Sequence, residues 1–338
     1  MMAFREMHLG VSSSAPKRKS ARIASQESFV GGTSNLRINS GSSSSSRSSY
    51  ALKDLPSSAS KFSREDVEAL NATFKSASNE SEVIPDVEAT NIPHHFLLNL
   101  SNEMLRSPVF DVDNIHGLSD EYVKTFINNL HRVVANAGLD IGTDESKTDS
   151  LVAYMLTRFA EFDRWPFGVR IKEYYRLSVC DQTVSAKPEF VVDKKGVVMV
   201  VVEDKHLKNV FVPNFGESQI FAEILACAYD NLRISRVFTE QTIFAVRFIS
   251  SNVTFYKVNI PAAYWEELQR GLPRKQSITV LRWPGENDPK TGLDLAEPAG
   301  RLTVLTALIK IRESLLREEE EENEEGEDEE EDEEGEDE

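Results

Sequence analysis

Val197-Val198-Met199-Val200-Val201-Val202-Glu203-Asp204-Lys205 is the most informative stretch of the chain. Its apolar run has no polar interruption and then gives way at once to three charged residues. A strand without polar alternation is buried on both faces, and such strands lie centrally in a sheet. Side chains alternate along a strand, so Glu203 and Lys205 are expected on one face with Asp204 pointing away. A carboxylate and an ammonium emerging where a buried strand ends are costly if dry and unpaired. They call for a partner, for water or for a metal. The plainer alternative is a solvated ion pair at a strand end.

Working upstream, Lys187-Pro188-Glu189 opens a preceding strand, with Pro in the first position where strands tolerate it. Asp193-Lys194-Lys195-Gly196 then turns the chain. If the loop is Lys194-Lys195-Gly196, Gly196 takes the left-handed position of a three-residue hairpin. Asp193 then faces Val197, and Glu189 falls opposite Val201. Glu189 and Glu203 become diagonal neighbours on one face, about 7–8 Å apart at the backbone. A two-residue loop would instead turn Glu189 to the other face.

Further out, helical periodicity covers Asp144 to Phe162, with Leu151, Val152, Met155, Leu156 and Phe159 on one side. Trp165-Pro166-Phe167-Gly168 breaks it, and Val169 to Val179 reads as a strand. After the apolar strand comes a helix over Glu217 to Leu232 and strands at Thr242–Ile249, Val253–Ile260 and Ile278–Trp283. A short helix near Trp265 and a final helix, Leu302 to Leu316, complete the body. The order from residue 144 is helix, three strands, helix, strand, an α/β unit in which a helix crosses over to a parallel strand. Residues 63–140 read mainly as helices. Ser63 with Asp66 starts one that carries Val67, Leu70 and Phe74. Ser119 caps another, which Gly138 ends.

Pro188-Glu189 followed by Glu203-Asp204-Lys205 resembles the signature of the PD-(D/E)xK nuclease superfamily. The order of elements over residues 144–249 is similar to that superfamily's core, and the likeness extends to modules in fungal and Crinkler-like proteins. No Crinkler amino terminus has a counterpart here. The resemblance covers roughly a third of the chain and implies a restriction-endonuclease-like mixed sheet flanked by helices. It implies an acidic residue on the first helix, Glu145 or, second, Asp149. It also implies a polar residue after the metal strand, Gln219, with Glu223 one turn later. Glu189 stands where the family usually has Asp, one methylene shorter.

The implied activity is metal-assisted hydrolysis of a phosphodiester in DNA or RNA. Glu189 and Glu203 would hold Mg²⁺ or Mn²⁺, and Lys205 would orient the attacking water or stabilise negative charge. Gln219 would position that water. Lys187, Lys194, Lys195 and Lys208 would offer positive charge to a phosphate backbone. The competing reading is a nuclease fold that only binds. The bland readings are ordinary strand entry at Lys187-Pro188-Glu189 and the wet side of a helix at Gln219 and Glu223. His94 and His95 are adjacent, and neighbours on a chain do not converge easily on one metal; His131 is expected to be structural, and His206 and Cys227 to pack.

The chain has 338 residues and a formal net charge of −18, unevenly spread. Residues 318–338 hold 18 acidic residues and no basic ones, while the first 62 carry a net +6. The body, 63–317, is therefore near −6. Residues 1–62 contain 18 serines and are expected to be a disordered arm. The arm carries Lys17, Arg18, Lys19 and Arg22, a cluster that suits an import receptor or nucleic acid. The tail is expected to be an extended polyanion able to capture basic proteins such as histones. The parts expected are thus the arm (1–62), a helical annex (63–140), an α/β domain (141–317) and the tail (318–338). Nuclear placement follows from the basic cluster, with the cytoplasm as the alternative. Two cysteines are too few for a disulfide framework. No apolar run approaches the ~18 residues of a membrane helix, and the start has no signal-peptide core. GxxxxGK[ST], GxSxG and HExxH are all absent.

Overall fold

The computed structural model describes residues 51–90, 92–138, 144–205, 216–288 and 292–333, with the side chains of 204, 205 and 318–333 left aside. The nuclear-signal cluster at Lys17, Arg18, Lys19 and Arg22, and also His206 and Lys208, lie outside the described residues. The elements in chain order are α1 (Arg64–Ala69), β1 (Ala72–Ser76), α2 (Asn102–Arg106), α3 (Glu121–Ala137) and α4 (Ser146–Tyr154). They continue with β2 (Phe167–Ile171), β3 (Tyr175–Val179), β4 (Gln182–Ala186), β5 (Phe190–Lys194) and β6 (Val197–Lys205). The last are α5 (Glu217–Ser235), β7 (Gln241–Ile249), β8 (Asn252–Ile260), α6 (Ala262–Arg270), β9 (Ile278–Trp283), β10 (Leu293–Asp294) and α7 (Pro298–Glu333).

One mixed sheet runs β1-β9-β8-β7-β6-β5-β2, with β10 added to β8. Helices flank it on both faces. Strand β6 sits inside the sheet, antiparallel to β5 and parallel to β7. Its valines are divided between the two cores. Val200 and Val202 join α3, α4 and α7 on one face. Val198 and Val201 join α1, α5, α6 and the β3–β4 hairpin on the other. The unbroken apolar run is thus explained by burial on both sides. From α4 onward, β2, β5 and β6 form an antiparallel meander, α5 crosses over, and β7 lies parallel to β6. The order of helix, three strands, helix and strand holds for the main sheet.

Several expectations change. Val169 to Val179 is not one strand: β2 ends at Ile171, and β3 with β4 makes a separate two-stranded sheet. Lys172 takes φ 52°, a left-handed turn that ends β2. Phe74 leaves the first helix and lies in β1, which pairs parallel with β9. The short α1 stops early because Asn71 takes φ 52°, a conformation no helix continues through. Residues 63–140 therefore contribute an edge strand as well as helices, and Ser48–Glu338 forms one compact unit. Asp120, not Ser119, caps α3, its carboxylate accepting from the Tyr122 and Val123 amides. Ser63 and Asp66 do form a capping box. Helix α4 passes at Met155–Phe159 into a π turn, marked by the Ala160 amide bonding the Met155 carbonyl.

The final helix begins before Leu302 and continues past Leu316. Its backbone stays helical to Glu333, so the acidic block starts as helix rather than as extended chain. Glu is a good helix former, and the packed segment before it has already met the cost of nucleation. Arg301, fully buried on α7, donates to the carbonyls of Leu98, Leu100, Leu295 and Ala296. Burial lowers its pKa to about 10, so it stays charged at neutral pH. Among the described residues no helix is long and apolar enough to cross a membrane.

Candidate functional site

The turn between β5 and β6 sets the geometry of the site. Lys194 pairs with Val197, so the loop is only Lys195-Gly196. Both take positive φ, 53° and 90°, which is the pattern of a type I′ hairpin turn. By parity alone this shorter loop would turn Glu189 away from Glu203. The ladder corrects itself. Asp193 pairs with Val198 and Val192 with Val200, so Met199 is an extra, bulged residue. Phe190 then faces Val202, and continuing the register sets Glu189 directly opposite Glu203. Directly opposed residues share a face, with Cβ atoms about 4.5–5.5 Å apart. At the level of Cβ positions this is a closer approach than the diagonal arrangement expected from sequence.

Glu203 is fully buried at the carboxyl end of β6. Helix α5 begins close by and sends Gln219 to it. The Gln219 amide donates to Glu203 Oε1 at 2.7 Å and to Glu223 Oε1 at 2.8 Å. One side-chain amide therefore serves two buried carboxylates, which explains the i, i+4 spacing of Gln219 and Glu223 on the helix. Lys205 closes β6 with its backbone in register with Ile249 of β7. Its side chain lies outside what is described.

On the other side of Glu189 sits a residue that sequence reasoning missed. Lys172 follows β2, and its amide donates to the Glu189 carbonyl at 3.0 Å. Its Nζ lies 2.8 Å from Glu189 Oε2 and 3.1 Å from Asp149 Oδ2. Both carboxylates hold the Lys172 ammonium well above the ordinary lysine range, Glu189 more than Asp149. Asp149 on α4, the second candidate, thus reaches Glu189 only through Lys172. Glu145 stands exposed one turn earlier, at the amino-terminal cap position of α4.

Arg247 of β7 was missed as well. It is 1% exposed and in register with Glu203 across the parallel pair. It donates to Asn287 Oδ1 at 3.0 Å and lies 5.6 Å from the Tyr256 ring centre. Its signal was readable: a lone charge inside Ile243-Phe244-Ala245-Val246-Arg247-Phe248-Ile249 must be satisfied somewhere. Further along, Glu217 at the start of α5 accepts from Arg282 at 2.6 Å and from the Tyr256 hydroxyl at 3.2 Å. Burial pushes the Glu217 carboxyl up, while Arg282 and Arg247 pull it back.

The candidate phosphate-binding lysines separate. Lys187 is exposed near Glu189, its ammonium 4.9 Å from the Tyr174 ring centre. Lys194 is only 9% exposed and donates to the Leu315 carbonyl of α7, so its charge is used inside the fold. Lys195 is exposed, but at the turn. Eight residues of strand at ~3.3 Å each put it roughly 25 Å from Glu203. Neither lysine belongs to the neighbourhood of Glu189 and Glu203. His131 bonds the Leu105 carbonyl at 2.7 Å, and Cys227 is fully buried.

Among the described residues no group of three His, Cys, Asp or Glu side chains converges as on a metal. The donors available for a cation are carboxylate oxygens in pairs. That set suits Mg²⁺, which commonly takes one or two protein carboxylates and completes its shell with water or phosphate. No family model matches the chain, and no curated protein matches it either.

Proposed function

We propose that the protein is a divalent-metal-dependent phosphodiester hydrolase of the PD-(D/E)xK kind, acting on DNA or RNA. The observation that carries this reading is the β5–β6 register, whose last pair, Phe190 opposite Val202, extends to Glu189 opposite Glu203, with Gln219 of the crossover helix bonded to Glu203. The order α4, β2, β5, β6, α5, β7, with β6 parallel to β7, agrees with the core that the resemblance implies. Glu189 and Glu203 would hold Mg²⁺ or Mn²⁺. Such an ion lowers the pKa of a bound water and neutralises charge on the transferring phosphoryl group. Gln219 orients the Glu203 carboxylate through its amide. Lys205 stabilises negative charge on the phosphoryl oxygens, and exposed Lys187 beside Tyr174 offers the backbone a cation and a stacking face.

A second reading is a nuclease fold that binds without hydrolysis. Lys172 between Asp149 and Glu189 favours it, as does Glu189 in the position usually held by Asp. Nuclear placement rests on the basic cluster at Lys17–Arg22 and an import receptor. Capture of histones or other basic partners rests on the acidic block.

The test is cleavage of DNA and RNA with Mg²⁺ or Mn²⁺ by the wild type, Glu203→Gln and Lys205→Ala. Each variant should lose about 100-fold or more, as when one transition-state contact is removed. Equal background in all three proteins rejects hydrolysis and leaves the binding reading.

A further inference from the structure

The Asp149–Lys172–Glu189 contact has a consequence for any cation at this site. Asp149 comes from α4 and Glu189 from the entry to β5, so two elements distant in sequence converge on one ammonium. The acceptors are half-buried, at 23% exposure each, and Lys172 is 44% exposed. The lysine is held by its backbone too. Its amide bonds the Glu189 carbonyl, and its φ of 52° is one that a residue with a side chain adopts at some cost. Glycine would relieve that cost but would supply no ammonium. The position therefore combines a turn that does not favour lysine with a side chain aimed at two carboxylates. A divalent ion bound by Glu189 would compete with the ammonium for the same carboxylate.

We infer that Lys172 is a tethered cation which occupies the Asp149–Glu189 carboxylates and sets how tightly the site takes a divalent ion. It is a positioning residue, not a catalytic one. It fixes the Glu189 carboxylate when no metal is bound, and it must release Glu189 for the ion to enter. The exchange involves no covalent change: one ammonium–carboxylate contact is traded for a metal–carboxylate contact. The cation that arrives must outcompete an ammonium whose attachment to the chain gives it a high effective concentration. The inference rests on the metal site proposed above, and it predicts that the native protein is a weak metal binder.

The experiment measures Mn²⁺ binding to the full chain by electron paramagnetic resonance and by calorimetry, without substrate. It compares the wild type, Lys172→Gln and Lys172→Arg. Lys172→Gln should bind Mn²⁺ about tenfold more tightly or better, a factor of ten being about 1.4 kcal/mol. Lys172→Arg, which keeps a cation, should stay close to the wild type. Millimolar Mn²⁺ should also raise the Tm of Lys172→Gln more than that of the wild type, since a ligand stabilises the state it binds. Equal affinity in the wild type and Lys172→Gln overturns the inference and leaves the metal site standing. No binding by either protein removes the metal site, and the inference with it. Should Lys172→Gln fail to fold, Asp149→Asn/Lys172→Gln against Asp149→Asn carries the same comparison, with equal affinities again overturning the inference.

Discussion

The two ends of strand β6 both carry charge, and they use it in opposite ways. At the amino end the polar side chains are tied into the backbone of the fold. Asp193 accepts from Arg170 at 2.7 Å and from the Gly196 amide at 2.8 Å, which closes the hairpin turn. Lys194 donates to the Leu315 carbonyl, and Asn231 bonds both the amide and the carbonyl of Val198. At the carboxyl end partners are shared. Gln219 serves Glu203 and Glu223, and Lys172 serves Asp149 and Glu189. Ties to the backbone hold a fold together. Lys172 is a cation shared by two carboxylates, which can exchange it for another cation, as a binding site requires. The difference predicts that substitutions at the amino end act on stability, and those at the carboxyl end on binding.

The largest stability effect should come from Asp193→Ala. It removes two bonds made by a carboxylate with 7% exposure, and hydrogen bonds to charged groups are worth about 1.5–3 kcal/mol. Half-exposed Arg170 can turn to solvent, so the ion-pair share is discounted and the expected loss is about 2–3 kcal/mol. Urea unfolding measures it. A loss close to zero would break the contrast at its strong end. Lys194→Met comes next. It keeps the apolar stem but loses the bond to Leu315, for about 1–2 kcal/mol. Nucleic-acid affinity should be unchanged, because the ammonium is inside the fold. A drop in affinity without a loss of stability would return Lys194 to the phosphate-binding role expected from its place in the sequence.

That reassignment illustrates what the sequence could and could not convey. The apolar run of β6, its abrupt charged exit, the crossover helix and the Ser63–Asp66 capping box all follow from local patterns, and all are present. The bulge at Met199 does not follow from one. Methionine is no signal for a bulge, and without it the two-residue turn would separate Glu189 from Glu203. Lys194 and Lys195 looked close to the carboxylates because few residues intervene, yet a nine-residue strand carries them to the far end of the sheet. Lys172 and Asp149 were hard to link for the opposite reason. They lie twenty-three positions apart in sequence, and only the folded chain brings the turn after β2 to Asp149 on α4. Phe74 fitted helical spacing, but pairing with β9, some two hundred residues later, overrode it.

The smallest stability effect should be at Glu189, where the contrast is sharpest. Glu189→Gln keeps the length and an acceptor oxygen and removes one negative charge. Lys172 retains Asp149, so its ammonium is not stranded, and at 44% exposure it also keeps access to water. Exposed and half-exposed ion pairs contribute about 0–1 kcal/mol, so unfolding should shift by less than about 1 kcal/mol. Mn²⁺ binding should nevertheless fall, because the lost charge is one of the two that oppose each other across β5 and β6. A single substitution would then separate the two properties: nearly silent in a denaturation curve and plain in a metal titration. If Glu189→Gln instead destabilises as much as Asp193→Ala, the carboxyl end is built like the amino end, for holding the sheet together.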